Sequence, residues 1–230
     1  VFIVTDDPAD VALVRQRAIE RGEEIPLALE GHTVHFDGYF DQARDVENTK
    51  YLVPHDADLD PYLNQTDRDA GLREIRSYLR GSMRGKDMIV RFFSLAPLAS
   101  PFSILTIQIT DSYYVAHSLD LLYRPAYGQF VAMDNATRCF KVLHSAGKVV
   151  DNIPVELDKR RVYIDYVENT VYSVNTTYAG NTVGLKKLAF RLAIRRADEE
   201  GWLAEHMFIM GVHGPNGRKT YLTGAYPSGC

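Results

Sequence analysis

The last ten residues of the 230-residue chain, YLTGAYPSGC, have the composition of a loop that binds phosphate. Gly224 and Gly229 are separated by four residues, the glycine spacing of a phosphate loop, in which successive backbone N–H groups point into one concavity. The next residue is Cys230, where a phosphate loop has lysine. Because two glycines after a strand also mark a hairpin or bulge, the residues alone leave both interpretations open.

Other positions carry side chains that could bind a carboxylate or a metal ion. Arg44, in ARDVENTK, could bind a carboxylate through its planar guanidinium, and a solvated arginine is the simpler interpretation. Lys186 and Lys187 begin a helical pattern, where positive charge opposes the helix dipole. His206 lies between that helix and an apolar strand, a position that suits a structural histidine as well as a metal ligand.

Composition narrows the class of partner. The 26 basic and 30 acidic side chains give a formal net charge of -4, so there is no electrostatic footprint for nucleic acid or an anionic membrane. The apolar runs are too short or too interrupted to cross a bilayer, and the start lacks the pattern of a secretory signal. Two cysteines do not form a disulfide framework. A cytoplasmic protein with a small-molecule substrate is therefore expected.

The first half of the chain is predicted to begin with a strand and a helix. VFIVT has the pattern of a strand, and DDPADVALVRQRAIERGEE that of a helix ending near Gly22. Residues 54–69 are polar and rich in turn formers, which predicts a surface loop. AGLREIRSYLRGSM predicts a second helix, with Leu72, Ile75 and Leu79 on one face.

The middle of the chain predicts a sheet that is mixed and largely antiparallel. Strand-like runs follow one another there: DMIVRFFSL, SILTIQIT, QFVAMD, RCFKVLHSA, RVYIDYV and TVYSVNTTYAG. The last third predicts a long helix that reaches GWLAE, followed by the strand MFIMGV, a turn and the strand TYLTGAY.

Several segments resemble the GTP-dependent phosphoenolpyruvate carboxykinases. YAGNTVGLKK, EEGWLAEHMFIMGV and KTYLTGAYPSGC occur in the order and at the distances of that family, and ARDVENTKYLV and MRGKDMIVRFFSLAPLASPFSILTIQITDSYYVAHS are also similar to it. The resemblance is weakest in residues 51–75 and 145–170. Because the family continues its last motif with Gly-Lys-Thr, the resemblance implies the N-terminal portion of a longer enzyme, and this portion alone is expected to be inactive.

The resemblance implies a mixed α/β fold in two lobes. Residues 1–200 would form an N-terminal mixed-sheet lobe that binds the substrate. Residues 201–230 would begin a C-terminal lobe that contains the P-loop and binds nucleotide and metal.

The resemblance also implies an activity, a carboxy-lyase of gluconeogenesis. The reaction is the reversible decarboxylation and phosphorylation of oxaloacetate to phosphoenolpyruvate and CO₂, with GTP as phosphoryl donor and GDP as product. A pyrophosphate-dependent relative and a non-catalytic carboxylate-binding module of the same fold are the alternatives. The expected partners are these small molecules, without nucleic acid or membrane, and the expected oligomeric state is a monomer.

The family motifs assign roles to individual residues. Metal binding would fall to Lys187 and His206, with Lys186 as the alternative to Lys187 and an aspartate after residue 230 as the third ligand of a catalytic Mn²⁺. A second ion, Mg²⁺ or Mn²⁺, would accompany the nucleotide. Cys230 and Lys187 are the catalytic candidates, and Gly229 and Cys230 the nucleotide-binding ones. The substrate-binding candidates are Arg44, Tyr178, Ala179 (where the family has glycine), Gly180, Asn181 and Ser228.

Overall fold

The computed structural model describes residues 1–41, 45–57, 59, 61–98, 100–101, 103–133, 139–178, 192–201 and 207–225. Its helices are α1 (Pro8–Glu20), α2 (Arg68–Leu79), α3 (Tyr113–Leu122), α4 (Tyr127–Val131) and α5 (Ala193–Glu200). Its strands are β1 (Phe2–Ile3), β2 (Ile25–Pro26), β3 (Thr33–Val34), β4 (Thr49–Val53), β5 (Gln65–Asp67), β6 (Ile89–Leu95), β7 (Ile104–Thr110), β8 (Arg124–Pro125), β9 (Phe140–Ser145), β10 (Val149–Val150), β11 (Ile153–Pro154), β12 (Arg161–Asp165), β13 (Thr170–Val174), β14 (Met207–His213) and β15 (Lys219–Ala225). The chain divides into two compact units, Val1–Gly184 and Leu185–Cys230.

A mixed sheet organises the first unit. Its strands lie in the order β1-β6-β7-β9-β13-β12-β4-β5, and β8 also pairs with β6. The pairs β1/β6, β7/β9, β9/β13, β12/β4 and β4/β5 are parallel, and the pairs β6/β7, β6/β8 and β12/β13 are antiparallel. The prediction of a mixed α/β fold is confirmed, but the prediction of a largely antiparallel sheet is wrong. The cause lies in the connections, because the chain passes through α3 and α4 after β7 and returns with β9 parallel to it.

The helices pack on both faces of this sheet. One core cluster joins β1 and β6 to α1 and α3, through Ile89 of β6 among others, and a second joins β4, β12 and β13 to α2, through Tyr172 of β13. Successive side chains of a strand point to opposite faces. Val90, next to Ile89, lies level across the sheet with Ile109, Leu143 and Tyr172. The two clusters therefore lie on opposite faces.

Both predicted helices of the first half are confirmed. Asp7 caps α1 by accepting a hydrogen bond from the backbone N of Ala9 at 2.8 Å, and Asp67 caps α2 in the same way from Ala70 at 2.8 Å. The predicted apolar face of α2 is buried in the second core cluster, with Leu79 partly buried at its edge. The polar loop predicted over residues 54–69 is shorter than expected, because its last part forms β5 and the start of α2.

The first half of the segment QFVAMD, predicted to be a strand, lies within α4 instead. Its apolar residues suit either structure, and a distant carboxylate decides the outcome. The backbone N–H groups of Tyr127 and Gly128, at the start of α4, donate to Asp6 at 2.9 and 2.7 Å. These N–H groups have no partner within a helix, so Asp6 satisfies them from more than a hundred positions away.

The second unit contains the described part of the long helix and a hairpin. The helix α5 ends at Glu200, because Gly201 adopts a left-handed φ of 74° and caps it. The prediction of a helix that continues into GWLAE is therefore wrong at Gly201. The two predicted strands are confirmed as β14 and β15. They pair antiparallel from Met207 opposite Ala225 to His213 opposite Lys219.

In the described ranges, every helix is too short or too polar to cross a lipid bilayer.

Candidate functional site

Many of the buried polar side chains lie together at one edge of the sheet. The carboxyl ends of β7, β9 and β13 reach this edge because these strands are parallel, and β6, β12 and β4 begin there because their direction is opposite. Loops that follow the carboxyl ends of parallel strands are common ligand-binding positions. Buried or half-buried residues at this edge include Asp41, Asp45, Lys86, Asp111, His144, Ser145, Arg160 and the run Asn175 to Tyr178.

Asp41 is the centre of the hydrogen bonding at this edge. Its fully buried carboxylate accepts bonds from Thr176 Oγ1 at 2.6 Å, from Thr177 N and Oγ1 at 2.7 and 3.1 Å, and from Tyr178 N at 3.1 Å. A carboxylate that receives backbone N–H bonds holds those peptide groups in place, since both orientation and charge contribute. Asp41 thereby fixes the chain just after β13.

Arg160 connects Asp41 to Asp45. Its Nη1 lies 3.0 Å from Asp41 Oδ1 and 3.0 Å from the carbonyl oxygen of Phe40, and its Nε lies 2.7 Å from Asp45 Oδ2. The Asp45 carboxylate also accepts from the backbone N and the side-chain Nδ2 of Asn48, at 3.0 and 2.9 Å. One guanidinium therefore holds the residues on both sides of positions 42–44.

Electrostatics at Asp45 favour the ionised form. Burial raises the pKa of this carboxyl, but the hydrogen bonds from Asn48 and the charge of Arg160 outweigh burial, so the pKa lies below its ordinary value. The carboxylate is thus charged throughout the physiological range.

His144 links the end of β7 to the chain after β13. The backbone carbonyl of Thr176, which only accepts hydrogen bonds, lies 2.9 Å from Nε2, so this nitrogen carries the proton. Nδ1 then accepts from Thr110 Oγ1 at 2.7 Å. Burial lowers the pKa of this fully enclosed imidazole, which is therefore neutral. His144 is thus a structural histidine, whereas His213 in the second unit is exposed.

Asp111 and Lys86 hold the turn after β9. Lys86 Nζ donates to Asp111 Oδ2 at 2.8 Å and to the carbonyl of Gly147 at 2.6 Å, and Ser145 Oγ donates to Asp111 at 2.6 Å. Gly147 adopts a φ of 69°, and a Cβ there would lie 1.8 Å from Asn175 Oδ1. The turn therefore requires glycine and packs directly against the first residue after β13.

The structure places one of the candidate substrate, metal and nucleotide residues. Tyr178 is half-buried, and its backbone N–H is bound by Asp41. The remaining candidates lie outside the described residues: Arg44, Ala179, Gly180, Asn181, Lys186, Lys187, His206, Ser228, Gly229 and Cys230. Over the described ranges, no group of three His, Cys, Asp or Glu side chains is arranged to hold a metal ion.

Sequence reasoning missed Asp41 and Arg160. Charged residues in loops are usually solvated, and nothing in the chain near Asp41 indicates a partner 119 positions away. A weak signal is present in the sequence itself, because Asp41 and Asp45 lie on either side of Arg44, and Asp45 belongs to the segment ARDVENTK already singled out.

A groove of about 740 Å³ lies elsewhere, between α1 and α3. It is lined by residues of these two helices, including Val11, Arg15, Ile19 and His117. None of its lining residues belongs to the buried network just described, so the groove is not assigned as the functional site.

The fold and the site are those of a mixed α/β protein. The first unit is a mixed α/β sheet with polar loops fixed at one edge, and the second contains a strand hairpin that leads to a glycine-containing loop sequence. The phosphoenolpyruvate carboxykinase N-terminal domain matches residues 1–198, and the phosphoenolpyruvate carboxykinase C-terminal P-loop domain matches residues 202–230. The chain belongs to the phosphoenolpyruvate carboxykinase family.

Individual relatives agree with this assignment. The chain is 55% identical over 231 residues to phosphoenolpyruvate carboxykinase (GTP) of Pyrococcus horikoshii, an alignment covering 100% of the chain and 37% of the relative. It is 48% identical over 229 residues to the protein of the same name from Saccharolobus solfataricus, covering 100% and 36%. The protein of that name from Chlamydia pneumoniae is 33% identical over 197 residues, covering 83% and 33%. The chain thus spans about a third of the length of these relatives.

Proposed function

We propose that the full-length protein is a GTP-dependent phosphoenolpyruvate carboxykinase. It would convert oxaloacetate and GTP to phosphoenolpyruvate, CO₂ and GDP, reversibly, in gluconeogenesis. The observation that carries this proposal is the 55% identity to a GTP-dependent relative over the whole of the chain, which includes the beginning of the P-loop domain.

The substrate is held by its carboxylate in this proposal. Arg44 would bind a carboxylate of oxaloacetate or phosphoenolpyruvate with two parallel hydrogen bonds, and Tyr178, Ala179, Gly180, Asn181 and Ser228 would contact the substrate at close range. The network at the sheet edge supports this arrangement, because Asp41, three positions before Arg44, binds the backbone of Tyr178 directly. Two segments distant in sequence are therefore anchored on the same carboxylate.

The chemistry then proceeds in two balanced steps. The bond between the leaving carboxylate and its neighbouring carbon breaks, CO₂ departs, and the electron pair becomes the enolate of pyruvate. The enolate oxygen attacks the γ-phosphorus of GTP in line, the bond to the bridging oxygen breaks, and GDP leaves with that electron pair.

The metal and nucleotide assignments stay predictions. Lys187, or Lys186, and His206 would hold a catalytic Mn²⁺, and Gly229 and Cys230 would lie at the nucleotide phosphates with Mg²⁺ or Mn²⁺. A bound divalent ion would supply Lewis-acid stabilisation where negative charge develops on oxygen. A thiol at Cys230, beside backbone N–H groups, would be acidified.

The organisation of the whole protein is also a proposal. A substrate-binding lobe over residues 1–200 would precede the nucleotide-binding lobe that begins at residue 201. The near balance of 26 basic and 30 acidic side chains favours a protein that binds neither nucleic acid nor an anionic membrane. The protein is also expected to be a cytoplasmic monomer.

The test is steady-state turnover by the full-length protein. Oxaloacetate and Mn²⁺ are supplied with GTP, ATP or pyrophosphate in separate reactions, and phosphoenolpyruvate is measured. Phosphoenolpyruvate is expected to form in the reaction with GTP and not in those with ATP or pyrophosphate. Turnover with pyrophosphate alone would instead identify the pyrophosphate-dependent reaction, and oxaloacetate binding without turnover would identify a non-catalytic module.

The carboxylate role of Arg44 has its own variant. Arg44→Lys keeps the charge but loses the planar fork, so KM for oxaloacetate should rise at least about tenfold while KM for GTP stays unchanged. An unchanged KM for oxaloacetate would remove Arg44 from the substrate site.

A further inference from the structure

We propose that Asp41 and Arg160 are positioning residues for the carboxylate site, a role that rests on the proposed function. Together they would hold the Arg44 segment against the segment that begins at Tyr178, and they would keep the acidic neighbours of Arg44 away from its guanidinium.

The first part of the argument is the connection itself. Asp41 receives bonds from the side chains of Thr176 and Thr177 and from the backbone of Thr177 and Tyr178. The backbone N–H of Asp41 donates to the carbonyl of Gly38 at 2.9 Å. This bond fixes the backbone from which the Asp41 carboxylate extends. Charge-assisted bonds of this kind fix position as well as contributing energy.

The second part is chain geometry. Consecutive Cα atoms lie about 3.8 Å apart, so Arg44 is one peptide from Asp45 and three from Asp41. Arg160 binds the side chain of Asp41 at 3.0 Å and that of Asp45 at 2.7 Å, and its own side chain is nearly buried. Both ends of the short segment that contains Arg44 are therefore attached to a single guanidinium.

The third part is charge. A carboxylate without a partner beside Arg44 would compete with a substrate carboxylate for the same guanidinium. Arg160 and the donors at residues 48 and 176–178 occupy the carboxylates of Asp41 and Asp45. Arg160 would thus preserve the positive charge of Arg44 for the substrate.

The experiment uses the full-length enzyme and the variants Asp41→Asn and Arg160→Gln. KM for oxaloacetate and phosphoenolpyruvate is expected to rise about tenfold, with KM for GTP and the Mn²⁺ concentration for half activation changed less than about twofold. Adding Asp45→Asn to Arg160→Gln removes the released carboxylate and should lower the raised KM again. A structural role alone would not produce that recovery.

A matched control lies at the other end of the same strand. Arg68 makes three hydrogen bonds to the fully buried Asp165, which is the last residue of β12, while Arg160 precedes the first residue of that strand. Asp165→Asn also breaks a buried ion pair, so it should lower the thermal midpoint without raising KM for oxaloacetate. Equal KM increases in the Asp165 and Asp41 variants would overturn the proposal.

Two further measurements separate the possible failures. If Asp41→Asn does not fold, Thr176→Val removes one donor to Asp41 and should still raise KM for oxaloacetate, whereas an unchanged KM would count against the proposal. If the wild-type enzyme makes no phosphoenolpyruvate, the proposed function fails first. Calorimetric affinity for phosphoenolpyruvate then replaces KM, and wild-type affinity equal to that of Asp41→Asn would overturn the inference.

Discussion

Acidification should destabilise the protein through the neutral histidine at the sheet edge. His144 is fully buried between Thr110 and the carbonyl of Thr176, and burial lowers its pKa below the ordinary value of 6.5. The charged groups near it are Asp111, Asp41 and Lys86, and the two carboxylates only partly offset the effect of burial. Below the ordinary pKa, the unfolded chain therefore binds a proton at this histidine and the folded chain does not. The free energy of unfolding is retained above the ordinary pKa and falls as the pH drops below it.

The magnitude follows from the unfolded state. If the folded imidazole stays neutral, protonation of the unfolded histidine removes about 1.4 kcal/mol from the free energy of unfolding between about pH 7.5 and pH 5.5. His35 contributes with the opposite sign, because hydrogen bonding to Asp37 and to the Glu23 carbonyl outweighs burial and raises its pKa. The effect of His144 is therefore isolated by comparing the wild type with a His144 variant, and not from the pH dependence of the wild type alone.

The assay is urea unfolding of the full-length protein and of His144→Gln across this pH range, followed by circular dichroism. The variant should be less stable at pH 7.5, and its free energy of unfolding should fall by about 1.4 kcal/mol less on acidification. His213→Gln, which changes an exposed histidine of the second unit, should keep the wild-type pH dependence. Equal pH dependence in the wild type and His144→Gln would refute the assignment of a buried, neutral imidazole.

Three other perturbations test the core and the acidic network. Gly71→Ala in α2 should lower the free energy of unfolding by about 1–3 kcal/mol despite alanine's better helix propensity, because its Cβ would lie 2.3 Å from Leu52 Cδ2; a more stable variant would contradict this packing. Ile75→Ala, at a fully buried position on the same helix, should cost about 2–5 kcal/mol in urea unfolding, and a loss below about 1 kcal/mol would show that the site is not enclosed. Asp45 has a lowered pKa, so its stabilising contribution is present above its ordinary value of 3.8 and is lost as the pH falls toward the folded value. Asp45→Asn should therefore show a weaker loss of stability in acid than the wild type, and identical acid titrations would argue against the ion pair.

Much of the local structure was accessible from sequence because it depends on neighbours in the chain. The helices α1 and α2 carry their own caps, and the apolar face of α2 recurs at helical spacing, so composition and period predict both. The hairpin of β14 and β15 is likewise a local unit, with its turn residues between its strands. The motifs that resemble the carboxykinases are also stretches of sequence, which is why the family could be recognised without coordinates.

The sequence by itself therefore determined α1, α2, most of the longer strands and the family resemblance. Only the tertiary structure decided the direction in which strands pair, the helix α4 that Asp6 caps from a distance, and the bonds that join Asp41 to Arg160 and to the chain after β13. The physical reason is range. Periodicity and capping are set within a few residues, whereas a buried carboxylate finds its partners only after remote segments have been brought together.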